Sequence, residues 1–443
     1  MTNNKAYCWI VDFIEQGNWL SLLLLVASLP FSMLFIRIFW YIWFVTWVAE
    51  WLLKLKFLQK PQLTNRKTLI PFIGFAIWCL WNWLSLIWSI DTNATWCALG
   101  REWHLICLIL VMLWGVNKYY SWQTILKVLV YSALTSVFVY LLVHYWVVNS
   151  ARALDKFYPT IKHLNLLTMD NLLLETKHRL HYANILQMAL VALFMLFNDR
   201  KQRFSTTQNI FLTLLATAWL LLGIFWCGSR IAWISLLAIT AIFIVTKINK
   251  KWRIVVAISA LAIGIFAGVL INTFRPRDGQ FTLQERLYYN PQDTLAPSNE
   301  IRIAIWHTVF ENKQDYPFYG LGDNCSQEYL TEKYAEKGWI NHHIRRFSTH
   351  NQYLALWMEL GPFAVVFFIS IWLLLPCYFN GRAKQWSTSL ATIFLIAMTT
   401  ENIFSSQEGI MIASVLLLII FLLSEDINVI PYSDSDCVER KII

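Results

Sequence analysis

Residues 352–377 read QYLALWMELGPFAVVFFISIWLLLPC, with Glu359 as their single charged residue, and residues 409–424 read GIMIASVLLLIIFLLS with no charge at all. A helix crosses the hydrocarbon core of a bilayer with about 20 apolar residues, so the first stretch is a membrane span by length and composition. The same reading carried outward gives spans near 18–36, 38–53, 68–89, 104–120, 122–148, 182–197, 209–226, 231–247, 254–272, 352–377, 388–402 and 409–424, twelve in all. The fold class expected is therefore all-α, a polytopic helical membrane protein.

The composition agrees. Of 443 residues, 57% are hydrophobic, 16% aromatic and 14% charged, with 24 tryptophans and a mean hydropathy of +0.48. Soluble proteins carry about 25% charged residues, and no soluble interior of this size hides so much apolar surface. The long apolar runs, without alternating ten-residue segments, exclude an outer-membrane barrel. Eight scattered cysteines have no spacing for zinc or a disulfide framework. The N-terminus lacks the order of basic, apolar and small residues that a removable signal needs, so the first apolar segment is expected to stay.

Orientation follows from Lys and Arg in the short connections. Lys54, Lys56, Lys60, Arg66 and Lys67 follow the second span, Arg200, Lys201 and Arg203 the sixth, Lys250, Lys251 and Arg253 the eighth, and Arg382 and Lys384 the tenth. All four clusters fall on one side, which is then the cytoplasm, with both termini in it. The formal charge of +9 belongs to that face, and nucleic acid is not expected as a partner.

The organisation expected is a membrane bundle over 1–272, with an outward loop near 150–181, then a large outward loop over 273–350. A second bundle segment over 351–424 and a cytoplasmic tail over 425–443 complete it. The large loop is too long for a mere connection. Asn299–Gln314 reads as an amphipathic helix with Ser298 as cap, and Ser326–Lys337 as another, stopped by Gly338.

Ionisable residues at a membrane boundary are expensive and mark function. Arg230, in CGSRIAW, starts the eighth span after a tight outward turn, where an anion is wanted; a snorkelling arginine would also occupy this place. His350, in STHNQYL, starts the tenth span, with Ser348 or Thr349 as the candidate cap. A helix N-terminus disfavours imidazolium, which suits a general base; a histidine bonded to a loop carbonyl is the plainer reading. Arg302 and Trp306 are four residues apart on the loop helix and share a face. Tyr316, Phe318, Tyr319 and Trp339 are types that stack on sugars, and equally types that line a headgroup region. Arg179 and His181, beside Lys177 and His178, precede the sixth span as a supplementary anion site or a solvated loop end.

This order of elements resembles the O-antigen ligase and polymerase superfamily. The most specific piece is His350 and Asn351, nine intervening residues, then Gly361; Ala364 departs from the Gly, Thr or Tyr more usual there. Arg302, Trp306, Pro317, Gly320 and Gly322 follow the family's Arg, Trp, Pro, Gly-x-Gly pattern. The likeness to the lipopolysaccharide O-antigen ligase implies transfer of a glycan from an undecaprenyl diphosphate donor to lipid A core, at the periplasmic face of the bacterial inner membrane. It implies His350 as base, Arg230 and Arg302, with Arg179 beside them, as diphosphate ligands, and Trp306, Asn351 and Tyr319 as residues shaping the substrate site.

The energy would come from the donor's glycosyl diphosphate bond, so ATP is not required. No Asp-x-Asp or comparable carboxylate pair stands at an outer helix end, so neither metal nor other cofactor is expected. A polymerase joining repeat units on the carrier, or a protein O-oligosaccharyltransferase, shares the donor and differs in acceptor. A transporter of lipid-linked glycan would place charge deep in its spans, whereas the candidates here gather at one face.

Overall fold

A computed structural model of the chain describes residues 2–56, 66–114, 119–155, 179–199, 206–247 and 298–424. Their regular structure is helical, with no strand among the described residues. The first eight helices are α1 (Thr2–Ser28), α2 (Met33–Lys56), α3 (Ile70–Leu84), α4 (Thr92–Trp114), α5 (Trp122–Asp155), α6 (Arg179–Phe197), α7 (Thr206–Trp226) and α8 (Arg230–Lys247). The large loop builds α9 (Ser298–Glu311), α10 (Ser326–Glu336) and α11 (Ile340–Arg345), and α12 (Gln352–Leu374), α13 (Gly381–Ala397) and α14 (Gln407–Ser424) complete the bundle. Eight stretches are long and apolar enough to cross a membrane, and 210–226 and 230–245 are shorter apolar helices. The chain is a helical membrane protein; twelve spans are not reached among the described residues, and the span expected at 254–272 lies outside them, as do Lys177, His178 and the tail.

The first two spans need correction. The helices run Thr2–Ser28 and Met33–Lys56 rather than 18–36 and 38–53. Hydropathy passed over the polar start of α1 because its side chains find tertiary partners that hydropathy does not register: Asp12 accepts from the Tyr119 hydroxyl at 2.5 Å, and Asn18 Nδ2 donates to the Trp43 carbonyl at 3.0 Å. The break falls at Pro30, as a proline without a backbone N–H favours. There the carbonyls of Pro30 and Phe31 accept from the Tyr140 hydroxyl at 3.0 and 2.7 Å. The helix expected at 388–402 likewise begins earlier, at Gly381.

Helices alternate in direction. At one end, the start of α5, the end of α6 and the start of α13 meet: Gln123 donates to Asp199 at 2.7 Å, Arg382 lies 3.9 Å from Asp199, and its guanidinium covers the Trp122 ring at 4.2 Å. The opposite, loop end gathers the 3-10 turn Ser85–Ile87, the starts of α4, α6, α8, α12 and α14, and all of 298–350. In chain position, Lys54, Lys56, Arg66, Lys67, Arg382 and Lys384 belong to the end away from the loop.

One kink shapes the loop end. Gly361 has φ 83° and ψ 173°, so α12 is two helices in series. The Tyr353 hydroxyl reaches the Leu395 carbonyl at 2.6 Å, while Trp372 stacks on Phe394 at 5.2 Å between centroids. A straight helix would separate positions 353 and 372 by about 28 Å; only the sharp bend lets both touch neighbouring residues of α13. Pro362 has no N–H for the Met358 carbonyl, and Leu321 N supplies the missing donor at 2.8 Å, with Gly322 N on the Glu359 carbonyl at 2.9 Å.

The loop has its own core of Ile305, Val309, Tyr316, Leu321, Cys325, Leu330 and Tyr334, which shares Met358 with α12. It is tied down by Asp323, whose backbone N donates to Ser85 Oγ at 3.0 Å and whose carbonyl accepts from Thr95 Oγ1 at 2.8 Å. The helices expected at 299–314 and 326–337 appear as α9 and α10, and Gly338, at φ 69°, follows the end of the second.

Candidate active site

His350 lies just before α12 with φ 46°, a left-handed conformation that costs a non-glycine residue energy and marks sites held by their surroundings. The helix is capped by neither Ser348 nor Thr349. Asn351 does it: its Oδ1 accepts from Tyr353 N at 3.0 Å and Leu354 N at 3.2 Å. The carboxamide oxygen of Asn351 is thus committed to the helix, which fixes where the preceding ring points.

The partner of that ring was not foreseen. Glu401 stands in the connection between α13 and α14. Its Oε2 lies 3.3 Å from His350 Nδ1, and its Oε1 accepts from Arg302 Nη2 at 2.7 Å. One carboxylate therefore joins the base candidate to the cation candidate, although 99 positions separate Arg302 from Glu401. The contact assigns the proton of the neutral ring to Nδ1 and leaves the lone pair on Nε2.

The connection that carries Glu401 is sewn to the start of α12. Gln352 N donates to the Met398 carbonyl at 2.9 Å, Phe404 N donates to Gln352 Oε1 at 2.7 Å, and Thr349 Oγ1 donates to Asn402 Oδ1 at 3.0 Å. From the other side, Trp306 Nε1 donates to the Thr349 carbonyl at 2.9 Å. Trp306 thereby positions the His350 backbone and keeps Arg302, one turn earlier on α9, at the same spot. The side chains of His350, Glu401 and Arg302 are 30%, 18% and 23% exposed, open enough for a substrate to touch the ring and the guanidinium. One Nη2 is spent on Glu401, and a guanidinium has five N–H donors.

Phe347 connects the histidine to the loop interior, its ring 6.3 Å from His350 and 5.3 Å from His342. His342 is 1% exposed, packed among Tyr334, Trp339 and Phe347. Burial, with the Arg345 charge adding to it, pulls its imidazole below the ordinary value.

The other candidates come from other elements of the same end. Arg230 begins α8 and Arg179 begins α6, both exposed and both at the loop end. Tyr319 packs edge-on against Trp88 at 5.8 Å and is 41% exposed. Sequence reasoning missed Glu401 because it searched the large loop for carboxylate pairs. The available signal was a single acid, in TTENIFSS, in a short connection at the boundary that also holds His350.

Residues 215–369 match the family model for O-antigen ligase, which supports the O-antigen ligase and polymerase superfamily. The matched segment holds Arg230, Arg302, Trp306, Tyr319, His350 and Asn351, and stops short of Glu401. No curated protein matches the chain.

Proposed function

We propose that this chain is a glycosyltransferase that moves an O-antigen glycan from an undecaprenyl diphosphate carrier to a sugar hydroxyl of lipid A core, at the periplasmic face of the inner membrane. The observation that carries the reading is the single carboxylate of Glu401, in contact with His350 Nδ1 at 3.3 Å and Arg302 Nη2 at 2.7 Å. It pairs an oriented base with a cation, the two groups that such a transfer needs.

In the reaction, an acceptor hydroxyl oxygen attacks the anomeric carbon of the donor. His350 Nε2 takes the hydroxyl proton, and the carbon–oxygen bond to the diphosphate breaks with its electron pair leaving on the diphosphate. General-base help of this kind is worth about 10²- to 10⁴-fold. The negative charge on the leaving diphosphate is met by the free N–H groups of Arg302 and by Arg230, each contact contributing about 2 to 4 kcal/mol by analogy with a single oxyanion donor. The glycosyl diphosphate bond supplies the driving force, and ATP takes no part. Both termini then face the cytoplasm, in keeping with the basic residues at the end away from the loop.

The test is transfer by the purified chain in lipid, given a polyprenyl-diphosphate-linked glycan and lipid A core without ATP. Formation of capped core is the expected result; no product from folded protein would overturn the reading. In a deletion strain, uncapped core with long chains left on the carrier marks a ligase, and core bearing one repeat marks a polymerase.

A further inference from the structure

Helix α6 is buried over nearly its whole length, yet three polar side chains follow one side of it in steps of three: His181, Asn184 and Gln187, at 7%, 1% and 0% exposure. The fold uses Gln187. Its Nε2 donates to the Ala232 carbonyl at 2.9 Å and its Oε1 accepts from Ser235 Oγ at 2.8 Å, joining α6 to α8. Asn184 has no such task. Among the described residues, neither its Nδ2 nor its Oδ1 has a hydrogen-bond partner.

A buried carboxamide with all its hydrogen-bonding capacity unused destabilises a fold, and polar groups kept inside a membrane bundle mark functional positions. A leucine at 184 would suit the packing better.

The register says at which level of the bundle the carboxamide lies. Helices α6 and α8 both start at the loop end, and the Gln187 bonds put position 187 level with 232–235. Three residues earlier on each helix, Asn184 is level with 229–232, the turn where α8 begins at Arg230. The unused amide therefore lies at the level of the first turn of α8, about 7.5 Å along its own helix from Arg179.

Resting on the transfer reaction proposed above, we infer that Asn184 is a binding residue for the glycosyl diphosphate head group of the donor. Its Nδ2 donates to a diphosphate oxygen, and its Oδ1 accepts from a hydroxyl of the first sugar. A carboxamide offers both kinds of group, which suits a ligand that carries both, and Arg230 at the same level supplies the charge.

The test uses the full chain in lipid nanodiscs, with initial rates measured against a polyprenyl-diphosphate-linked glycan at saturating acceptor. Asn184→Leu should raise the donor KM roughly ten- to a hundredfold, the loss of hydrogen bonds to a charged group, while its melting temperature stays at or above that of the wild type. Gln187→Leu should do the reverse, lowering the melting temperature with an unchanged donor KM. An Asn184→Leu protein with the wild-type donor KM overturns the inference. That includes a variant whose rate falls only in proportion to lost folded protein, the mark of a structural amide.

Should Asn184→Leu not be recovered folded, Asn184→Ser carries the same comparison, and an unchanged KM there overturns it. Failure of the proposed function would show differently, as absence of transfer by the wild type. Binding of undecaprenyl diphosphate alone then decides for Asn184, and equal affinity of wild type and Asn184→Leu overturns the assignment.

Discussion

Glu401 Oε2 lies 3.3 Å from His350 Nδ1, across a span of 51 positions in the chain. The two residues belong to different connections, which hydrogen bonds from Thr349 and Gln352 to residues 398–404 sew together. An oriented imidazole is the usual requirement for a base that takes a proton from a hydroxyl. If they act as a unit, His350→Ala and Glu401→Ala should each reduce transfer by about 10²- to 10⁴-fold. The double variant should fall no further than His350→Ala alone. Initial rates of the three purified variants form the cycle; additive losses would show that the residues work separately.

Arg302 keeps its charge when replaced by lysine but loses the planar fork. The guanidinium meets Glu401 through one nitrogen, and its other N–H groups can grip two diphosphate oxygens in one plane. A lysine ammonium, as a point charge, can satisfy one partner or the other. Arg302→Lys should lower kcat/KM for the donor by at least about tenfold. Equal rates for the two proteins would reject bidentate recognition.

His342 gives the loop a sensitivity to acid with a definite sign. Burial lowers its folded value below the ordinary 6.5 of the unfolded chain. The unfolded state then binds the proton more readily, so the stability it contributes is present above pH 6.5 and is lost as pH falls below it. Hydrogen exchange over α10 and α11 should quicken between pH 7 and 5 beyond the intrinsic pH dependence. His342→Phe should remove that acceleration, and its persistence in the variant would assign it to another group.

Gly361 holds the bend of α12 at φ 83°, and a Cβ there would run into the backbone carbonyl oxygen of Phe318. Both the conformation and the contact penalise any other residue. Gly361→Ala should therefore destabilise the protein by about 2 kcal/mol or more, read as a lower melting temperature in detergent. An Ala364→Gly control should keep the bend, since Ala364 lies beyond it in regular helix.

The motif of His350, Asn351, nine residues and Gly361 has a physical meaning that its spacing alone does not reveal. Asn351 caps a short helix, residues 352–360 form it, and Gly361 ends it, so the interval is the length of one helical rod. The span pattern was legible for a similar reason: hydrophobic length is a local property of the chain. The polar start of α1 was not legible, because its Asp12 and Asn18 are matched by Tyr119, in the turn before α5, and by Trp43 of α2.

The chain by itself determined that this is a helical membrane protein and that its chemistry-bearing arginines and histidine gather at one boundary, because hydropathy and charge placement are written residue by residue. Only the tertiary structure decided which of them touch a common partner. Arg302, His350 and Glu401 come from three separate stretches, and Arg230 and Arg179 share their end of the bundle. Contact between distant positions depends on the Gly361 bend and on the backbone bonds that lock residues 398–404 to the start of α12. Such bonds are three-dimensional consequences of packing, and no period or spacing in the sequence encodes them one by one.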